Sequence, residues 1–285
     1  MVCPLVKLGA NHFNRFEPMQ TRYPLTFTLL FFVTALYGQN YKVAYRLHYF
    51  ENSVERTGNQ QEDFYLYTDQ DHSEFVSVLK MKKDSVIKFD KSDVGRQMAA
   101  YKAIPRTKFE FFLTKQYKTN TVLFAQKFTA NIAYQQVGTT YAWEVVDTTK
   151  TVNGFTCRKA TLQHLGNAYE AWFTDEVPVF DGPYFFQGLP GLILEVACPE
   201  RGYRFEFLGI ENAFPLMDYD KKKLVSVSDN REKFLALYDD WEKNRYRNLY
   251  KLGWIDPLVE DKEAYINKVQ AEEYAERPKF KLEIF

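Results

Sequence analysis

Between Tyr41 and Tyr49 the chain alternates: Tyr41, Val43, Tyr45, Leu47 and Tyr49 are apolar or aromatic, with Lys42, Ala44, Arg46 and His48 between them. A period of two marks a strand with one face turned to a core. The same reading predicts strands at Asp63–Thr68, Glu74–Lys80, Ser85–Phe89, Phe109–Lys115, Val122–Phe128, Tyr141–Val146, Cys157–His164, Ala168–Thr174, Leu192–Ala197 and Tyr203–Ile210. Asn153-Gly154, Gly166-Asn167 and Glu200-Arg201-Gly202 punctuate neighbouring strands tightly, which predicts antiparallel hairpins. Near Ser228 the period changes. Phe234, Leu237, Tyr238 and Trp241 recur at helical spacing, Asp229 with Glu232 offers a capping-box start and Gly253 a stop, so a helix from about Asn230 to Leu252 should pack its aromatic stripe on the sheet. A second, more charged helix is predicted over Glu260–Glu276, ended by Pro278. The expected fold class is mainly β, a β-rich α+β fold: a strongly curved antiparallel sheet or partly open barrel with one or two C-terminal helices.

The amino-terminal pattern is different again. Leu25 to Leu36 is an apolar run preceded by Arg22 and followed by Tyr37-Gly38-Gln39, which fits a secretory signal peptide in length and flanks. A membrane-spanning helix would need roughly 20 apolar residues. The signal should start at Met19, with residues 1–18 as an upstream extension, and cleavage after Gly38 would leave residues 39–285 as a single β-rich domain with a helical part from about residue 229. Export is therefore expected, to the periplasm or to an outer-membrane-associated or extracellular position. No cysteine follows the cleavage site, so a lipid anchor is not expected, and the mature chain has no other apolar stretch long enough to span a bilayer.

The densest punctuation lies between Trp172 and Val196, where Pro178, Gly182-Pro183, Gly188 and Pro190-Gly191 describe a chain turning several times between two strands. Glycine and proline carry no acid, base or nucleophile, so this segment reads first as scaffold. Its aromatic residues Tyr184, Phe185 and Phe186, together with Trp172, are the candidate ligand-binding positions, because loops held by rigid strands often bind. The hexapeptide Gly188-Leu189-Pro190-Gly191-Leu192-Ile193 resembles the signature of the GLPGLI family, exported proteins of the Bacteroidota whose molecular role is undefined. Cys157, Lys159 and Ala160, then Tyr169, Ala171 and Trp172, then Thr174, Val177-Pro178 and Gly182-Pro183 fall in the order that family shows. The resemblance covers Thr151 to Glu200 and implies a structural signature made of Gly182, Pro183, Gly188, Leu189, Pro190, Gly191, Leu192 and Ile193.

Composition narrows the function classes. Lys plus Arg equals Asp plus Glu at 37 each, so no overall field draws the chain to nucleic acid. The 20 Tyr and 25 Phe favour half-buried pleated surfaces and a β-rich core. Without the leader two cysteines remain, Cys157 and Cys198, which in an oxidising periplasm could pair or could stay as buried thiols. No metal-ligand spacing accompanies them, and no metal or cofactor is expected. His48, His72 and His164 are far apart, and no zincin, nucleophile-elbow, P-loop or dinucleotide motif is present. Catalytic residues are therefore not assigned, and the balance of the sequence leans away from an enzyme. Asp175, Glu176, Asp181 and Glu195 cluster around the signature, and Glu195, inside an apolar strand, would need a partner such as Arg204 or Lys159 if buried. The favoured expectation is a non-enzymatic binding or carrier protein of the cell envelope, for an apolar or extended ligand such as peptide or lipid, or for an outer-membrane protein. The alternative is an envelope hydrolase, or an accessory module to one, acting on glycan or peptide. A structural role in an envelope complex is the third reading.

Overall fold

In this computed structural model, residues 40–52, 55–69, 71–90, 93–127, 131–137, 140–212, 224–228, 230–253 and 255–276 are described. The expected leader, the cap at Asp229 and the stop at Pro278 lie outside them. Two antiparallel meanders make the sheet. The first runs through β1 (Tyr41–Asn52), β2 (Thr57–Thr68), β3 (His72–Ser77), β4 (Phe111–Gln116), β5 (Thr121–Lys127) and β6 (Asn131–Val137). The second runs through β7 (Glu144–Val152), β8 (Phe155–His164), β9 (Asn167–Thr174), β10 (Leu192–Cys198) and β11 (Tyr203–Asn212). β11 returns to pair with β1, and β12 (Leu224–Ser228) adds in parallel to β6, so the order is β12-β6-β5-β4-β3-β2-β1-β11-β10-β9-β8-β7. The curved sheet is not closed; β12 and β7 are its edges.

Register follows the alternation that the sequence displays. Val43, Tyr45, Leu47 and Tyr49 are buried in β1 and stand opposite Leu66, Phe64, Glu62 and Gln60 of β2. Curvature has local causes. The pairing slips between Ala44 and Tyr45, between Val146 and Thr149, and between Ile193 and Glu195, and an extra residue in one strand bends it. The β7–β8 connection is the expected two-residue turn, with Asn153 at φ 46 and Gly154 at φ 92. At the β8–β9 turn the positive-φ pair is Leu165-Gly166, one residue earlier than the Gly166-Asn167 expected.

Several elements differ from the sequence reading. Ser85–Phe89 is not a strand; it ends helix α1 (Val78–Phe89). Likewise β3 stops at Ser77, short of the predicted Lys80, because the Ser77 hydroxyl accepts from the Lys80 amide at 3.2 Å and caps the helix. Apolar residues in that stretch suit either period, and the cap decides. Helix α2 (Val94–Ala103), capped by Asp93 and burying no residue, was not anticipated, nor were β6 and β12. The strand expected at Tyr141–Val146 begins at Glu144 and continues to Val152. The C-terminal helices are as expected: α3 (Arg231–Lys251), whose cap is Asn230, and α4 (Lys262–Glu276).

The core is aromatic and lies on one face of the sheet. Phe64 and Phe75 stack with centroids 4.9 Å apart and planes within 3°, and Phe205 meets both edge-on. Each fully buried ring of this kind stabilises the fold by about 1.5–3 kcal/mol. Phe234 of α3 is buried against Phe124 and Tyr134 of β5 and β6, with Tyr238 and Trp241 packed half-buried on the same cluster. Leu237, on the expected stripe, is 43 % exposed. Helix α1 takes the opposite face, where the Tyr67 hydroxyl donates to the Met81 sulfur at 3.5 Å.

Candidate functional site

The connection from β9 to β10, residues 175–191, is the longest between paired neighbours in the second meander, and it is tied to itself and to the sheet. The Val177 carbonyl accepts from the amides of Val179 at 2.8 Å and Leu192 at 3.2 Å. The Gly188 amide donates to the Phe180 carbonyl at 3.1 Å, and Asp181 pairs with Gln187 in an antiparallel bridge. The Ile193 amide donates to the Asp181 carbonyl at 2.9 Å, and the Tyr45 hydroxyl to the Ile193 carbonyl at 2.7 Å.

Two glycines explain much of the signature. Gly191 has φ 143, and a Cβ placed on it would lie 2.0 Å from the Thr174 carbonyl oxygen, so the backbone passes where no side chain fits. A Cβ on Gly182 would lie 2.6 Å from Ile193 Cβ. The loop can therefore press flat on the start of β10. Tyr184 follows Pro183 with φ 55, an uncommon conformation for a non-glycine residue that turns its ring inward.

At the centre is a buried carboxylate. Asp181 is 0 % exposed and Lys115 of β4 is 1 % exposed at the side chain. Lys115 Nζ donates to Asp181 Oδ1, to the Gly182 carbonyl at 2.9 Å and to the Phe186 carbonyl at 3.1 Å, filling its three donor positions. Asp181 Oδ2 accepts from Ser73 Oγ at 2.5 Å and from the Tyr117 hydroxyl at 2.7 Å, and Oδ1 accepts from the Gly182 amide at 2.7 Å. Thr68 Oγ1 lies 2.7 Å from the Tyr117 hydroxyl. Burial lowers the proton affinity of Lys115, with the charge of Asp181 pulling the other way, while burial and then the Asp181 charge push Tyr117 well above an ordinary phenol. Every polar atom of the pair is satisfied, as a buried charge requires.

The candidate binding residues land in two places. Tyr184, Phe185 and Phe186 were expected on a ligand-facing surface; they fill the interior instead. Tyr184 stands within 6.5 Å of Phe75, Phe111, Phe124 and Phe205, Phe185 stacks on Phe124 at 6.0 Å, and Phe186 meets Tyr169 at 5.3 Å. Trp172 is half-buried on the other face, paired in register with Glu195, and Lys150 Nζ sits 4.4 Å from its ring centroid. Lys150 also holds Glu195 at 2.5 Å, so the partner is neither Arg204 nor Lys159. Phe180 points outward, 64 % exposed, with Pro178, Gly188 and Pro190 also exposed around it.

The other acids near the signature are engaged separately. Asp175 faces Arg158 at 3.5 Å, and Glu176 accepts from the Thr156 amide at 2.7 Å. Among the described residues no group of three or more His, Cys, Asp or Glu is placed to hold a metal ion, and no helix is long and apolar enough to cross a membrane.

Cys157 and Cys198 are both free and buried. The expected alternative of a disulfide fails on register. Ala197 is level with Glu170 and Thr161, which puts Cys198 level with Tyr169 and Leu162, so Cys157 lies five residues further along β8, with β9 between the two strands. At about 3.3 Å per residue and about 4.8 Å per strand the two Cα atoms are about 19 Å apart, far beyond the reach of an S–S bond. Burial pushes the Cys157 thiol up to about 11.

Sequence reasoning missed Ser73, Lys115 and Tyr117. The available signal was Lys115 two residues beyond Leu113 and four beyond Phe111, a lysine continuing their alternation in the position of a core residue.

An open antiparallel sheet plugged by a glycine- and proline-rich loop is thus the class of protein defined here. A family model described as "Protein of unknown function (Porph_ging)" matches residues 164–195, the segment from the end of β8 through the hexapeptide. No curated protein matches. Among solved structures, two crystal forms of PNGF-II, in space groups P21 and C2, are similar at 17 % identity, with TM-scores of 0.45 and 0.47, over 67 % of this chain and 31 % of theirs. The chain spans about a third of the length of those structures, and a likeness of that degree carries no argument about function.

Proposed function

We propose that this chain is a non-enzymatic, exported binding protein of the cell envelope, of the GLPGLI group, whose signature loop presents a fixed apolar knob to a protein partner. The observation that carries this is Phe180, a large aromatic side chain 64 % exposed on a loop whose next residue is fully buried and ion-paired. Its own carbonyl accepts from Gly188, so the backbone that aims the ring is held in place. Ordering cost is thereby paid in folding rather than on binding, which is what makes a single aromatic residue an effective anchor. Occupation of the sheet interior by Tyr184, Phe185 and Phe186 favours an outer partner over a lipid or peptide carried inside.

The test is affinity capture from the envelope fraction of the source cells with residues 39–285, wild type and Phe180→Ala, followed by native mass spectrometry. The expected result is one stoichiometric protein retained by the wild type and lost by the variant at an unchanged melting temperature. Retention of the same partner by Phe180→Ala, or a bound lipid as the only companion, overturns it.

A further inference from the structure

The Lys115–Asp181 pair has the groups of an intramolecular acylation site. We propose that Lys115 and Asp181 condense, without any enzyme, into an amide joining Nζ to Cγ and cross-linking β4 to the signature loop. Amine and carboxyl are in contact, sealed from water, and held on both sides: two backbone carbonyls take Nζ hydrogens, and two hydroxyls, Ser73 Oγ and Tyr117 OH, donate to Oδ2.

The step balances with these groups alone. A proton passes from the ammonium to Oδ1, along the hydrogen bond that already joins them, giving the neutral amine and carboxylic acid that can react. Burial lowers the proton affinity of Lys115 in the same direction. The Gly182 and Phe186 carbonyls keep the two remaining N–H groups, which leaves the nitrogen lone pair facing the Asp181 carboxyl group. Nitrogen attacks Cγ, and the negative charge that develops on Oδ2 is met by the Ser73 and Tyr117 hydroxyls, placed as the donors of an oxyanion hole are. A second proton moves from nitrogen to the Oδ1 hydroxyl, the Cγ–Oδ1 bond breaks, and water leaves. The amide keeps one N–H for one of the two carbonyls, and no oxidant, metal or co-reactant is needed. Condensation against water needs a high local concentration of amine; effective molarities of roughly 10⁵ M or more are reached when both groups are fixed in contact.

Intact-mass measurement on residues 39–285, followed by tryptic digestion, tests this. The expected result is a chain lighter by one water and a branched peptide that joins the Lys115 and Asp181 segments and is uncut after Lys115. Asp181-Gly182 is also a sequence that could lose water by closing a succinimide on its own backbone. The variant Lys115→Arg separates the two, since it keeps the cation but cannot form the amide. Loss of the mass deficit in Lys115→Arg supports the cross-link; a deficit that persists there overturns it, as does a full-mass wild-type chain with separate peptides. If Lys115→Arg fails to fold, the wild-type digest decides alone, because a succinimide gives no branched peptide.

Discussion

Alanine at Gly191 should damage the protein far more than alanine at Gly188, although both residues have positive φ and both sit in the hexapeptide. At Gly188, φ is 91 and an added Cβ meets nothing within 4 Å, so the cost is conformational only, about 1–2 kcal/mol. At Gly191 the added Cβ would sit 2.0 Å from the Thr174 oxygen and 2.6 Å from its carbonyl carbon. Contact distances of ordinary carbon atoms are about 3.5 Å or more, so the chains must separate by over an ångström. That separation falls where Leu192 pairs with Thr174 and opens the β9–β10 ladder. Adding about 1–3 kcal/mol of backbone strain to one or two lost hydrogen bonds of about 1 kcal/mol each gives about 2–5 kcal/mol, with a midpoint of about 3.5 kcal/mol. In a domain of this size 1 kcal/mol shifts Tm by about 2–4 °C. Thermal and urea unfolding of residues 39–285 by circular dichroism should show Gly188→Ala lowered by about 3–6 °C and Gly191→Ala by about 10 °C or more. Equal losses in the two variants, or a Gly191→Ala cost below about 1 kcal/mol, would refute the close-approach argument.

Other outcomes follow from the same structure. Tyr184→Ala removes a buried ring packed among phenylalanines of β3, β4, β5 and β11 and should cost about 3–5 kcal/mol, measured by urea unfolding; a loss under about 1 kcal/mol would mean that the loop does not fill the core. Phe180→Ala, by contrast, should change stability by no more than about 0.5 kcal/mol. Burial raises the phenols of Tyr45, Tyr117 and Tyr184 well above 10 and that of Tyr49 to about 12. Unfolded tyrosine loses its proton near pH 10, so these groups contribute stability that is whole below about pH 10 and declines as pH rises above it. An alkaline titration should show their phenolate absorbance appearing together with loss of structure; smooth ionisation near pH 10 in a folded chain would contradict their burial. Cys157 and Cys198 should react with a thiol reagent slowly in the native protein and as two free thiols after denaturation; recovery of a disulfide would contradict the register.

Local pattern carried the strands well where one face is buried and the other is wet. β1, β8, β9 and β11 were legible because alternation over several residues has no helical equivalent, β10 because it is a short apolar run bounded by turn residues, and α3 because its aromatic spacing has no strand equivalent. The pattern failed at Val78–Phe89, where scattered apolar residues satisfy both periods and a serine hydroxyl settles the matter. It failed again at β6 and β12, strands near and at the sheet edge.

The amino-acid order was enough to establish that the segment after Trp172 turns sharply and serves as scaffold, since glycine and proline act through their own backbones. It also restricted the chain to a curved, β-rich, aromatic fold. Which way the loop folds was a tertiary matter. Tyr184 and Phe180 look alike in sequence, yet one is buried among rings from four strands and the other faces solvent, because burial depends on what the opposite strands leave open. Lys115 and Asp181 lie 66 residues apart, and only the return of β11 to β1, joining two meanders into one sheet, brings a lysine and a carboxylate into contact where water cannot reach them.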